Sequence, residues 1–135
     1  MIVVDVNVVV YLLTDSSCRT LAVRLYEQSH EWRVPPLWRH EMLNVLATLA
    51  RNDVLDRASA LRAWRNALDL LAAGEQQPDM EEVFALALAH GISAYDAQYV
   101  ALAMALDTVL VSEDRKLQQR FPQRVVAMSR MAGED

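Results

Sequence analysis

The chain has 135 residues, 53% hydrophobic and 23% charged, with a formal net charge of −5. That length suits one domain over residues 1–135, and the composition excludes a disordered chain. No apolar run approaches the roughly 20 residues that cross a bilayer, and the amino end has neither the basic flank nor the cleavage site of a signal peptide, so the expected address is cytoplasmic.

Ile2 to Val6 is a β-branched run broken only by an acid, the pattern of a central strand buried on both faces. A short helix is predicted over Asn7 to Leu13. Ser16 and Ser17 offer caps for a second helix that carries Leu21 and Leu25 and ends near His30. Trp32-Arg33-Val34 reads as a strand stopped by Pro35-Pro36, and the second proline suits the first turn of a helix over Leu37 to Asn52. Arg57 to Ala73 is an amphipathic helix closed by Gly74 as its C′ residue, followed by a polar loop from Glu75 to Asp79. Glu81 to His90 is helical up to Gly91. Ser93 then opens a helix to about Leu106 through a Ser-x-x-Asp capping box. Thr108 to Ser112 and Arg124 to Met128 read as strands around a helix over Glu113 to Phe121. Strands separated by helices imply an α/β fold, a parallel sheet with helices on both faces.

Cys18 is the only cysteine, which excludes an internal disulfide and a cysteine-built metal site. The histidines His30, His40 and His90 lack metal-ligand spacing. The acidic balance argues against broad non-specific nucleic-acid binding, although twelve of the 13 basic side chains are Arg, the better bidentate phosphate ligand. Trp38, Trp64 and Tyr95 could stack on bases, but aromatic residues on the helices of a small domain more often fill the core.

Four carboxylates carry the chemical signal. Asp5 is an acid inside a β-branched run, which costs several kcal/mol unless it is paired, capping or coordinated. Asp96 has a local explanation in its capping box, Ser112 can cap the following helix with Glu113 and Asp114 in its first turn, and Glu41 lies at the polar rim of the Trp38–Met42–Leu46 stripe, where a solvated acid is ordinary. Their placement changes the reading. Asp5 and Asp114 fall at or just past predicted strand ends and Asp96 starts a helix, which is where open α/β sheets place their sites. Four acids gathered there either hold their protons to higher pH or are neutralised by a cation, and an all-oxygen ligand set suits Mg²⁺ or Mn²⁺ and not zinc. Such ions catalyse phosphoryl chemistry, and they also reverse the repulsion between an acidic cleft and a phosphodiester.

With those motifs in view the chain resembles the PIN-domain nucleases, and within them the VapC-type toxins of toxin–antitoxin pairs. The opening Val-Asp-Val-Asn resembles the first acid motif, Glu41-Met-Leu-Asn44 the second, YDAQYVALA with Asp96 the third, and LVSEDRKL with Ser112 and Asp114 the last. The resemblance implies metal ligation and catalysis by Asp5, Glu41, Asp96 and Asp114, support from Asn7 and Ser112, and a PIN-like three-layer fold. It further implies RNA cleavage, a homodimer and a small antitoxin that blocks the site. Ser112 stands where the family usually has Thr, and Asp107 where Gly is common; Asp107 is given no function.

Other readings remain open at this level. A dinucleotide site, a P-loop and an acyl-hydrolase elbow lack their glycine motifs. A phosphotransferase using Asp5 as a covalent nucleophile, through an aspartyl-phosphate, would need a late lysine, for which Lys116 is the sole candidate. A catalytically silent PIN-like scaffold that only binds a partner would keep the acids as caps.

Overall fold

The computed structural model describes residues 1–133. Four short parallel strands form one sheet, β1 (Ile2–Val4), β2 (Trp32–Arg33), β3 (Leu110–Val111) and β4 (Val125–Val126), in the order β2-β1-β3-β4. Eight helices connect and follow them: α1 (Val6–Leu13), α2 (Arg19–Gln28), α3 (Trp38–Arg51), α4 (Arg57–Leu71), α5 (Met80–His90), α6 (Ala94–Ala105), α7 (Arg115–Arg120) and α8 (Met128–Met131).

Side-chain alternation along these strands divides the core into two layers. Ile2, Val4, Trp32, Val111 and Val126 face one side, against α1 to α4, where Trp38, Met42, Leu25 and Leu71 are fully buried. Val3, Leu110 and Val125 face the other side, against Tyr99, Val100 and Leu102 of α6 and Leu117 of α7. Helix α5 packs outside α6 through Val83, Ala97 and Ala101. The predicted three-layer α/β architecture is therefore the one observed. Trp38 is core and Trp64 packs on it at 5.5 Å between ring centroids, whereas Tyr95 is exposed.

Local boundaries differ from the sequence reading in instructive ways. The first strand stops at Val4, because Asp5 caps α1 with its own side chain and Val6 is already helical. The strands expected over Thr108 to Ser112 and Arg124 to Met128 have regular ladders of two residues each. Their flanks still bond, as in Leu110 N–H to Arg124 O and Ser112 N–H to Val126 O. Helix α2 begins at Arg19 with Cys18 as N-cap and no side-chain cap, so neither Ser16 nor Ser17 performs the capping expected of them. Asp107 has φ 49°, a left-handed conformation that Asp tolerates better than most residues, which accounts for a position where glycine is common.

Gly74 is not the C′ residue expected. Helix α4 ends in a 3₁₀ turn over Ala72–Gly74, and the positive-φ glycines are Gly91 and Gly133. What Gly74 provides is close approach: its carbonyl accepts from Val34 N–H, Gln76 N–H returns to Val34 O, and Glu75 pairs with Val34 in a parallel bridge. A Cβ on Gly74 would meet the Trp32 carbonyl oxygen at a clashing distance. The neighbouring Glu75 carboxylate accepts from Trp38 Nε1 at 2.6 Å and from Arg39 Nε, fastening this edge to α3. Gly74→Ala is expected to destabilise the fold by about 1–3 kcal/mol, the usual effect of forcing atoms into a filled space. Urea denaturation measures this, and an unchanged midpoint would contradict the steric account.

Candidate active site

The four acids come from four elements and line one cleft of about 330 Å³. Register explains the first meeting. Val4 pairs with Val111 across β1 and β3, so the residues just beyond them, Asp5 and Ser112, come together at the carboxyl ends of the two central strands. The fully buried Ser112 hydroxyl donates to Asp5 Oδ2 and accepts from Asp114 N–H at 3.1 Å. Asp5 Oδ1 accepts the Asn7 N–H at 2.8 Å. Asn7 thus supports Asp5 through its backbone, while its exposed side chain lines the cleft.

Asp114 is itself the N-cap of α7, its Oδ1 accepting from Leu117 N–H at 3.1 Å. The expectation that Ser112 caps that helix, with Asp114 in the first turn, is therefore corrected: Ser112 is drawn inward to Asp5, and the cap falls to the next free acceptor. Asp96 occupies the first turn of α6, where its N–H donates to the capping Ser93 Oγ at 3.0 Å. Glu41 projects from the first turn of α3, and its Oε1 accepts from the Tyr99 hydroxyl at 2.6 Å.

Tyr99 is a site residue the sequence reading passed over. Its signal was spacing: it follows Asp96 by three on the same helix, so both lie on one face. Glu113 was also passed over as a first-turn acid. It lines the cleft, and its Oε1 accepts from Met128 N–H at 2.7 Å at the start of α8. Tyr11 of α1 is a further lining residue.

No cationic side chain lines this cleft, and the ion pairs among the described residues, Arg33–Glu31, Arg39–Glu75 and Arg124–Asp107, leave its acids unpaired. For Asp5, Glu41 and Asp96 the electrostatic consequence has one direction. Burial pushes the Asp5 carboxyl above its ordinary range; the Ser112, Asn7 and Val8 hydrogen bonds oppose the rise and Asp96 adds to it. Burial likewise raises Glu41, against the Tyr99 hydrogen bond and with the charges of Asp5 and Asp96. Asp96 is raised by burial and then by Asp114, with Ser93 opposing. The Tyr99 phenol stays protonated, pushed up by burial and by Glu41. Among the described residues no three acidic, His or Cys side chains close into a preformed metal cage. The donor set of unpaired carboxylates on an open cleft nonetheless fits a hard divalent cation, whose binding would relieve the repulsion.

The PIN domain profile matches residues 2–121, a span that contains all four acids, Asn7 and Ser112. The chain belongs to the PIN domain family. Over 127 residues this PIN domain is 34% identical to Ribonuclease VapC3 of Pyrobaculum aerophilum, covering 90% of the chain and 95% of the relative. It is 36% identical over 124 residues to Ribonuclease VapC9 of Mycobacterium tuberculosis, covering 87% and 88%. The crystal structure of PAE2754 from Pyrobaculum aerophilum superposes with a TM-score of 0.76 at 23% identity, covering 98% of this chain and 97% of that one. A toxin–antitoxin complex from Klebsiella pneumoniae gives a TM-score of 0.66 at 16% identity, covering 95% and 98%. These two likenesses establish the fold.

The raised acids predict an inverted pH response for the metal-free PIN domain. A carboxyl whose folded pKa lies above its unfolded value keeps its proton longer in the folded state. Its contribution favours folding below the unfolded value and turns unfavourable as pH rises through the interval above it. For Asp96 that interval begins at the ordinary 3.8. Asp96→Asn in the presence of chelator is expected to melt higher than the parent at neutral pH, with the difference closing below that value. A lower melting temperature for the variant at neutral pH would show that Asp96 is held as a structural cap.

Proposed function

We propose that this PIN domain is a divalent-metal-dependent endoribonuclease, the toxin of a toxin–antitoxin pair, with Asp5, Glu41, Asp96 and Asp114 as its catalytic, metal-ligating acids. The observation that carries the proposal is the convergence of four acids, far apart in sequence, on one cleft that offers them no cationic partner. The ribonuclease names of its relatives supply the reaction class. Bound Mg²⁺ or Mn²⁺ would supply an activated water and charge stabilisation for hydrolysis of a phosphodiester bond.

The chain's own groups prepare that chemistry. Three of the four carboxylates are oriented by donors of the fold: Asp5 by Ser112 and Asn7, Glu41 by Tyr99, Asp114 by Leu117 N–H. Glu41 and Asp114 each have a second oxygen left for the cleft, and Asp5 retains lone pairs on both of its oxygens. Ser112 transmits order between motifs, because one hydroxyl touches both Asp5 and the Asp114 backbone. The phosphotransferase reading loses its lysine, since Lys116 is exposed on α7 and does not line the cleft.

Asp5→Asn, Asp96→Asn and Asp114→Asn are each expected to abolish Mg²⁺-dependent cleavage of RNA while the protein stays folded, because each removes a ligand charge with little change of shape. Gel assays of a labelled RNA, with circular dichroism of each variant, check this. Cleavage retained in two of the three would remove the site assignment, and no cleavage by the parent would leave the silent scaffold.

The surface supports two partners. Met80, Phe84 and Leu88 recur at four-residue spacing on α5, and Phe84 and Leu88 are 68% and 75% exposed. This stripe is assigned to a C₂ homodimer. Leu43, Leu61 and Trp64 line a second apolar groove, between α3 and α4, which is assigned to an amphipathic antitoxin helix. Leu43 stands on the side of α3 nearly opposite Glu41, so an antitoxin that also places a basic side chain among the acids must continue beyond its helix. Light scattering at micromolar concentration is expected to give a dimer for the parent and a monomer for Phe84→Asp. Adding the product of the adjacent gene should suppress cleavage. A monomeric parent would refute the dimer, and full activity in a saturated complex would refute the antitoxin role.

A further inference from the structure

The polar residues lining the cleft are acids, apart from Asn7, Tyr11 and Tyr99. Of the two phenols, Tyr99 is committed to Glu41. The Tyr11 hydroxyl makes no hydrogen bond among the described residues, although its ring is partly buried against the main core, which fixes where the hydroxyl stands. Asp5 and Glu113 are the cleft acids whose charge reaches it. Glu113, a lining residue, is also fixed, by the Met128 N–H on its Oε1, and its other carboxylate oxygen has no hydrogen-bond partner among the described residues. The cleft wall therefore carries a positioned neutral donor and a positioned anionic acceptor, neither needed to hold the four acids in place.

A ligand group received by both must accept and donate at once. A phosphate oxygen would accept from Tyr11 but be repelled by Glu113; a base amino group would suit Glu113 alone, and a base carbonyl Tyr11 alone. A ribose 2′-hydroxyl does both, and it is the group that distinguishes RNA from DNA. We infer that Tyr11 and Glu113 together read a ribose 2′-hydroxyl of the bound strand, Tyr11 donating to it and Glu113 accepting from it, and so make the cleft select RNA over DNA. The inference rests on the RNA-cleaving reading above and deepens it. A deoxyribose at that position leaves the donor and the acceptor without their shared partner, an arrangement that discriminates against a missing hydroxyl.

The test compares kcat/KM on an RNA oligonucleotide with a defined cut and on the same strand carrying a single deoxynucleotide at each position around the cut. With the parent protein, one deoxy position is expected to lower kcat/KM about tenfold, the worth of roughly 1.4 kcal/mol of hydrogen bonding. Tyr11→Phe should lower cleavage of the all-RNA strand by a similar factor and show no further loss at that deoxy position. Glu113→Gln keeps an oxygen for Met128 N–H and removes the second acceptor, so it should behave in the same way with an unchanged melting temperature. If both variants lower cleavage of the RNA and of the deoxy-substituted strand by equal factors, or change neither, the pair does not read the hydroxyl. If the parent cleaves no RNA at all, the nuclease reading fails and this inference falls with it, an outcome distinct from an active parent with additive losses.

Discussion

The Ser112 hydroxyl between Asp5 and the Asp114 backbone is the contact on which the cleft depends. It exists because β1 and β3 pair in parallel with Val4 opposite Val111, which brings two residues 107 positions apart in sequence to the same sheet edge. A change of one residue in that register would turn the alternating side chains to the wrong layers, so the two hydrophobic layers enforce the site as well as the fold. The first and last acid motifs are thus one structural unit, and Ser112, completely buried, is the hinge of it.

Around that contact the protein assembles groups that oppose its own stability. Asp5, Glu41 and Asp96 all hold their protons more tightly than free carboxyls do, with burial the first cause in each case. The fold offsets part of this with hydrogen bonds and none of it with a salt bridge among the described residues. Helix starts contribute: Asp5 and Asp114 serve as N-caps of α1 and α7, and Asp96 lies in the first turn of α6, so the positive ends of three helices face the acids. A structural role and the proposed ligand role therefore coincide in the same side chains. The acids are caps, and that does not make them only caps.

Much of the fold was legible in one dimension. Strand and helix order follows from β-branched runs, amphipathic spacing and the Gly91 stop, and these survive tertiary packing because each is enforced by burial of the apolar face. Strand ends were overread, since Asp5 and the residues flanking β3 and β4 bond through turns and caps that composition does not separate from a ladder. Gly74 shows the limit in another form. A glycine after a helix reads as a left-handed cap, yet its reason lies across the fold, in the Trp32 carbonyl that leaves no room for a Cβ.

For the candidate site, the identity of Asp5, Glu41, Asp96 and Asp114 was accessible from the sequence, through the cost of an acid in an apolar strand and through motifs that resemble a family. What only the tertiary structure decided is who holds them. Tyr99 reaches Glu41 across 58 residues, Glu113 turns to the start of α8, and Tyr11 brings an unmatched phenol to the cleft. Apart from the three-residue spacing of Asp96 and Tyr99, none of these has a local signature, because a hydrogen bond between distant elements depends on strand register and helix rotation, which one sequence does not display. The sequence by itself determined which residue types are present to do chemistry and which segments carry them; packing decided which of those groups meet, because burial in two layers leaves the backbone a single register.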